Sequence, residues 1–334
     1  MPTLNEMLRA TSRTFSIGIE RLPGVLGSAV MVSYLLLRVS DYLEDDNTIS
    51  DEEKVALLEL WDSVLAGEKD VTELTARVVE PNGSNPDGVV AWHAAQVLDA
   101  LHSLPPTIQA IIVANVRDTT QGMARWVARG PQVADENDMD NYMHEVAGRV
   151  GYLLTDLFSW HSGYIRWQKN SLMPLAREFG LALQTVNIIR GLREDYERGW
   201  IFVPDSFCTA LEITREDLFR PEYTSQSLQV LKKLTDKADH HLEAALEYLK
   251  ALPPWQYSIR LFCVYPLMFA VRTLAISRQN RAVLDGEVKI TRDEVARIVR
   301  DTTLWSWSNS WLDNYYKKLR AVPASQAAVP STQA

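Results

Sequence analysis

Residues 25–46 read Val-Leu-Gly-Ser-Ala-Val-Met-Val-Ser-Tyr-Leu-Leu-Leu-Arg-Val-Ser-Asp-Tyr-Leu-Glu-Asp-Asp. The stretch is largely apolar to Leu37 and then turns acidic. Its apolar spacing predicts a helix over 23–46 rather than a strand. On that helix Asp41 and Asp45 are four residues apart and share a face, Arg38 joins it three residues before Asp41, and Tyr34 lies one turn earlier. Two carboxylates at this spacing repel by roughly a few tenths of a kcal/mol when exposed. A bridging cation would relieve them. Magnesium suits that place, because it prefers oxygen, keeps several waters and takes one or two carboxylates together with substrate phosphates. Arg38 is suited to grip the same phosphates. The acidic run also reads as a solvated helix end. The apolar residues upstream favour the other reading, a buried helix whose acidic end opens into an interior cavity.

Helical spacing continues outward from this stretch. Helices are expected near 3–17, 51–67, 88–102, 105–129, 138–164, 169–197, 224–250, 255–280 and 292–320, with scarcely any period-two pattern. Punctuation falls between them: Pro81, Gly83, Asn85, Pro86 and Gly88, then Gly130 with Pro131, then Pro253 with Pro254. No linker splits the middle and no repeat occurs. The expectation is a single all-α domain over 1–321, a helical bundle around a central pocket. The Ala/Pro/Ser/Gln-rich tail, 322–334, is expected to be disordered.

Composition narrows the function. The chain has 334 residues, is 46% hydrophobic, and carries a formal net charge of -9 with basic and acidic residues interspersed. No Lys/Arg block supports nucleic-acid binding. A negative protein that binds anions needs a local remedy, a divalent cation and a few placed arginines. The two cysteines, Cys208 and Cys263, form no CxxC pair and suggest free thiols in a reducing cytoplasm. No signal peptide is read at the N-terminus. The apolar stretch from Val25 to Leu37 is short for a bilayer span and is interrupted by Gly27, Ser28 and Ser33, so no transmembrane segment is expected. Peripheral membrane contact stays open.

A second polar helix face runs through residues 184–195, Gln-Thr-Val-Asn-Ile-Ile-Arg-Gly-Leu-Arg-Glu-Asp. Gln184, Asn187, Gly191 and Asp195 follow at steps of three, four and four, with Glu194 alongside and Val186, Ile188 and Ile189 on the other faces. Asn187, Glu194 and Asp195 are oxygen donors for a hydrated metal; an interhelical hydrogen-bond network is an equal alternative. Arg190 and Arg193 are candidate phosphate contacts.

Five blocks together resemble the squalene/phytoene synthase family, nearest to its squalene synthases, over most of residues 5–275. They are Thr11-Ser12-Arg13-Thr14-Phe15, Tyr34 to Asp46, Tyr142 to Gly151, Gln184 to Asp195, and Phe262-Cys263-Val264-Tyr265-Pro266. The resemblance implies the all-α isoprenoid synthase fold and head-to-head joining of two prenyl diphosphates with Mg2+. It implies metal binding at Asp41 and Asp45, diphosphate contacts at Arg13 and Arg38, and a role for Tyr142 in the first half-reaction. Gln184, Asn187 and Asp195 match polar positions of the second motif, and Phe262 an aromatic wall of the second half-reaction's pocket. Squalene synthases finish with hydride from NADPH. No GxGxxG fingerprint is present, but the family binds nicotinamide without one.

Gly191 departs from the pattern, since the family's second motif usually begins with Asp there. Water or Glu194 could fill the gap; the Asn187, Gly191, Asp195 spacing also resembles a magnesium pattern of terpene cyclases. Other readings are an enzyme that stops at the cyclopropyl diphosphate, one making phytoene, dehydrosqualene or hydroxysqualene, or a non-catalytic relative. His144 is read as structural, beside Arg149. The segment Arg198 to Pro204 reads equally as a flap over the pocket and as a packed connection. Chain length of the substrate and oligomeric state are not legible.

Overall fold

The computed structural model describes residues 1–46, 48–79, 81 and 85–321. The tail 322–334 lies outside the described residues. In chain order the helices are α1 (Leu4–Thr11), α2 (Arg13–Ile19), α3 (Gly24–Asp45), α4 (Asp51–Leu65), α5 (Val71–Thr75), α6 (Pro86–Trp92), α7 (Ala94–His102), α8 (Pro106–Arg129) and α9 (Glu136–Met143). A π-helical turn, His144–Gly148, leads into α10 (Arg149–His161), followed by α11 (Gly163–Glu197), α12 (Asp205–Thr209), α13 (Thr224–Ala251), α14 (Tyr257–Ser277), α15 (Ala282–Asp285), α16 (Arg292–Trp305) and α17 (Asn309–Arg320). No strand occurs among the described residues, as the spacing predicts.

Four expected helices are interrupted, 138–164 by a π-helical turn and the gap before α11, and at two of the breaks a side chain caps the new start. Ser12 accepts from the Phe15 N–H and starts α2 where one helix over 3–17 was expected. Ser308 accepts from the Trp311 N–H and starts α17 anew within 292–320. His93 divides 88–102. Elsewhere the caps fall where sequence rules put them. Thr3 with Glu6, and Thr291 with Glu294, form capping boxes at α1 and α16.

The chain groups into two compact units. Unit 1 comprises Met1–Gly130 and Arg149–Met173. Here α3 packs with α4, α6, α7 and α8. Leu35, Leu36, Trp61, Ile112 and Phe158 are among its fully buried side chains. The buried hydroxyls of Ser40 and Thr120 satisfy one another at 2.7 Å, joining α3 to α8. Arg117 holds Asp62 through two bonds of 2.8 and 3.1 Å, joining α8 to α4.

Unit 2 comprises Pro131–Gly148 and the described residues from Pro174 onward. Its centre is α14, buried from Ile259 to Ser277, with α13, α16 and α17 packed on it. By length and composition α3 and α14 would each suffice to cross a bilayer. The complete burial of α14 inside unit 2 makes it a core helix. The guanidinium of Arg260 collects the carbonyls of Leu249, Leu252 and Ser306, so one cation caps the C-terminal ends of α13 and α16. The π-helical turn lies tightly on α11. A Cβ added to Gly180 would stand 2.3 Å from the Ala147 carbonyl oxygen, so only glycine allows this approach.

Candidate active site

In unit 1 the acidic end of α3 keeps the face read from its spacing. Arg38 forms an ion pair with Asp41, and both side chains are partly buried. A second carboxylate, Asp87 on α6, lies 3.7 Å from the other end of the same guanidinium. Arg38 also sits over the Tyr34 ring, 5.6 Å from its centroid. Tyr34 in turn meets the Thr11 to Phe15 block, with hydroxyl bonds to Thr11 and Ser12 and the Phe15 ring 6.2 Å away. Two of the five blocks thus meet within one unit. Arg13 opens α2, but its side chain lies outside the described residues.

Burial and like charge act together on the carboxyls here. Burial pushes the Asp41 carboxyl up to about 6, Arg38 pulls it down, and Asp45 and Asp87 push it up again. Asp87 is likewise raised, by burial first. Arg38 is thus shared between Asp41 and Asp87. Asp45 is exposed at the helix end. Among the described residues no group of three or more His, Cys, Asp or Glu side chains is placed to hold a metal ion by itself. Two carboxylates one helical turn apart nevertheless fit magnesium, which completes its shell with water and phosphate oxygens.

In unit 2 the second motif occupies the last turns of α11. Asp195 is buried and ion-paired with Arg198, while Asn187 and Glu194 are exposed and Gln184 is partly buried. Both candidate phosphate-binding arginines already have acidic partners. Arg193 Nε lies 2.7 Å from Glu197, and Arg190 Nε lies 3.3 Å from Glu287. A Cβ on Gly191 would come 3.6 Å from Asp195 Oδ2, an ordinary contact, so the position has room for a side chain.

Tyr142, near the end of α9, is buried and stacks on Phe202 with ring centroids 4.5 Å apart. Phe202 stacks in turn on Trp200 at 5.6 Å. Ile201 and Val203 between and after them are buried, and the Asp205 N–H donates to the Val133 carbonyl at 2.9 Å. The segment Arg198 to Pro204 is thus a packed connection. Phe262 is buried in the first turns of α14.

The sequence profile of the squalene/phytoene synthase family matches residues 8–294. Human squalene synthase is 32% identical over 303 residues, which cover 91% of this chain and 70% of the human one. The chain belongs to the squalene/phytoene synthase family. Bovine squalene synthase is 31% identical, with 100% of this chain and 77% of the bovine one covered. The solved complex of TcSQS with the ligand BPH1237 matches with a TM-score of 0.83 at 26% identity, over 99% of this chain and 92% of that one. A dehydrosqualene synthase complex matches with a TM-score of 0.65 at 18% identity, over 93% and 96%, and speaks for the fold alone. The isoprenoid synthase fold and the assignment as a prenyl transferase of the farnesyl-diphosphate farnesyltransferase type follow from family and fold together.

Within this squalene/phytoene synthase, sequence reasoning missed Asp87 and the Trp200–Phe202 stack on Tyr142. Asp87 announces itself only as an acid in the first turn of α6, after the Asn85 cap and Pro86. No spacing rule ties residue 87 to residue 38. The aromatic pair was within reach, because Trp200 and Phe202 stand two apart beside a motif whose partners must be covered from water.

Proposed function

We propose that this enzyme joins two farnesyl diphosphates head to head, through the cyclopropyl intermediate presqualene diphosphate, to squalene. The observation that carries this reading is the end of α3, where burial, with Asp45 and Asp87 nearby, holds the Asp41 carboxyl up to about 6 against the pull of Arg38. Such a site attracts a cation–diphosphate complex. The squalene synthase relatives supply the substrate class.

In this reading Asp41 and Asp45 hold magnesium at the first motif, and Asn187, Asp195 and Glu194 serve the second. Bound there, magnesium offsets the charge that develops on departing pyrophosphate. Arg38, with Arg13, orients the diphosphate by charge-assisted hydrogen bonds. Arg190, Arg193 and Gln184 contact the second diphosphate, which requires the arginines to exchange their acidic partners for phosphate. The Tyr142 hydroxyl moves the proton lost when the cyclopropane closes, with pyrophosphate as acceptor. Its stacking on Phe202 holds the phenol in one orientation and keeps water from it. Phe262 lines the apolar wall, where a ring face stabilises an allylic cation. NADPH is the expected hydride donor of the last step. Residues 1–321 act as one functional domain.

Gly191 favours a second reading, in which the enzyme completes the first half-reaction and releases presqualene diphosphate or a dehydro- or hydroxysqualene. Incubation with farnesyl diphosphate and Mg2+, with and without NADPH, separates the two. Squalene formed only with NADPH is the expected result. An identical product set in both arms rejects the squalene reading, and absence of pyrophosphate release from farnesyl and geranylgeranyl diphosphates alike rejects catalysis.

A further inference from the structure

The chain from Tyr142 to Gly148 carries an irregularity that the proposed reaction leaves unexplained. α9 ends at Met143, and the next five residues, His144–Gly148, form the π-helical turn. Such a turn holds one residue more than an α-helical one and recurs at functional sites. It lies along α11 within unit 2, in antiparallel order. The Thr185 hydroxyl donates to Met143 Sδ at 3.2 Å. Gly180 meets the backbone of Ala147 and Gly148. A Cβ on Gly148 would stand 3.1 Å from Leu181 Cδ1 and 3.4 Å from Arg177 Cγ.

These contacts need the extra residue. In an α-helix, residues five apart point about 140° away from one another. A π-helical turn bonds i to i+5 and brings them onto one side. Met143 and Gly148 can therefore both face α11. Gly180 makes the room. A Cβ there would stand 2.3 Å from Ala147 O, 2.6 Å from Ala147 C and 2.8 Å from Gly148 Cα, all backbone atoms that cannot rotate aside. Gly180 also stands one helical turn before Gln184, where the polar face of the second motif begins. At the other end of the contact Tyr142 directly precedes Met143, buried and stacked on Phe202.

We propose that Gly180 is a positioning residue, which seats the π-helical turn on α11 and so sets the direction of Tyr142 for the first half-reaction. Taking one residue out of the turn shifts the helical phase by about 100°. With Gly148 seated on α11, that shift turns Tyr142 off Phe202. A side chain at Gly180 pushes on the same carbonyl and forces the same choice, to lift the turn or to rotate α9. A phenol that moves a proton must sit within hydrogen-bond reach of it, and a displacement of about 1 Å there costs orders of magnitude in rate. The use made of Tyr142 rests on the proposed function, but the seating of the turn does not.

The test separates the two half-reactions in the full chain. Farnesyl diphosphate with Mg2+ reads the first, and supplied presqualene diphosphate with Mg2+ and NADPH reads the second. Gly180→Ala is expected to lower kcat of the first step by about 10²-fold, with KM little changed and conversion of presqualene diphosphate near the parent's. Tyr142→Phe is expected to slow the same step by about 10²-fold. The double variant should be no slower than Tyr142→Phe, because Gly180 acts through that hydroxyl. Should Gly180→Ala fail to fold, deletion of Ala147 takes its place: it removes the extra residue, keeps the helix content by circular dichroism and loses the first step. Equal loss of both half-reactions overturns the proposal, as do multiplied losses in the double variant or a parent-like first step in the Ala147 deletion. The single and double variants are compared on the first step alone, so they decide equally for an enzyme that stops at presqualene diphosphate. A parent-like first step in Tyr142→Phe overturns this inference while the parent's products still uphold the proposed function, and a parent inactive on farnesyl diphosphate overturns both.

Discussion

The acidic end of α3 and the buried charges of unit 2 treat negative charge in opposite ways. At α3, Asp41 and Asp87 share Arg38, and burial first, then the neighbouring carboxylates, raise Asp41 to about 6. In unit 2 the acids come with their cations. Asp195 has Arg198, Glu294 has Arg272 at 2.6 Å, and Asp239 has both Arg278 and Arg320. His241, buried on α13, lies 2.5 Å from Glu178 of α11 and 3.6 Å from Asp140 of α9, with Lys237 also 2.7 Å from Asp140. Balanced sites hold helices together. A carboxyl raised by burial and like charge, as Asp41 is, gains from a bound cation, which is what a diphosphate-handling site needs.

The contrast breaks most visibly at its extremes. Asp41→Asn is expected to lower turnover on farnesyl diphosphate by at least about 10²-fold and yet leave the thermal midpoint unchanged or slightly higher. The sign follows from the raised carboxyl: the folded state binds the proton more tightly, so stability falls as pH rises from about 4 to the folded value near 6. Steady-state kinetics with thermal melts across that window check both halves, and a large loss of stability would break the comparison.

His241→Gln should do the reverse, costing about 2 kcal/mol of stability by removing the charged partner of two partly buried carboxylates, Asp140 and Glu178. Burial works against the imidazolium, but the bonds to Asp140 and Glu178 outweigh it and raise the group above its ordinary value. Its contribution is complete below the unfolded value of about 6.5 and is lost as pH rises through the folded one. Urea titrations at a series of pH values should show that slope in the parent and its absence in the variant.

Smaller effects sharpen the picture. Gly191→Asp has room for its side chain and adds an acid beside Asp195. If the second motif is short of a ligand, the share of fully rearranged product rises, read by product analysis with NADPH present. Asp87→Asn removes one repelling charge and should move the Asp41 titration to lower pH, followed by carboxyl NMR in metal-free protein.

Part of this site was written in local spacing. Arg38 with Asp41 is a contact between residues three apart, so a helix alone delivers it. Asp87 and Arg38 are brought together by the packing of α6 on α3, and no periodicity signals that. The polar face of 184–195 was legible too, but burial along it was not. Asp195 is buried while Asn187 and Glu194 are exposed. The segment 198–204 could be read two ways until Tyr142 and Phe202 were seen stacked.

By itself the sequence determined the helices, the charge pattern at Asp41 and Asp45, and membership in the family through ordered motifs, because each depends on residues within a turn or two of one another. The tertiary structure alone decided that Asp87 crowds Asp41, that His241 bridges three helices, and that Arg260 clamps the ends of two distant helices. These depend on which helices pack together, and desolvation by neighbours remote in the chain sets both the charge states and the exposed surface.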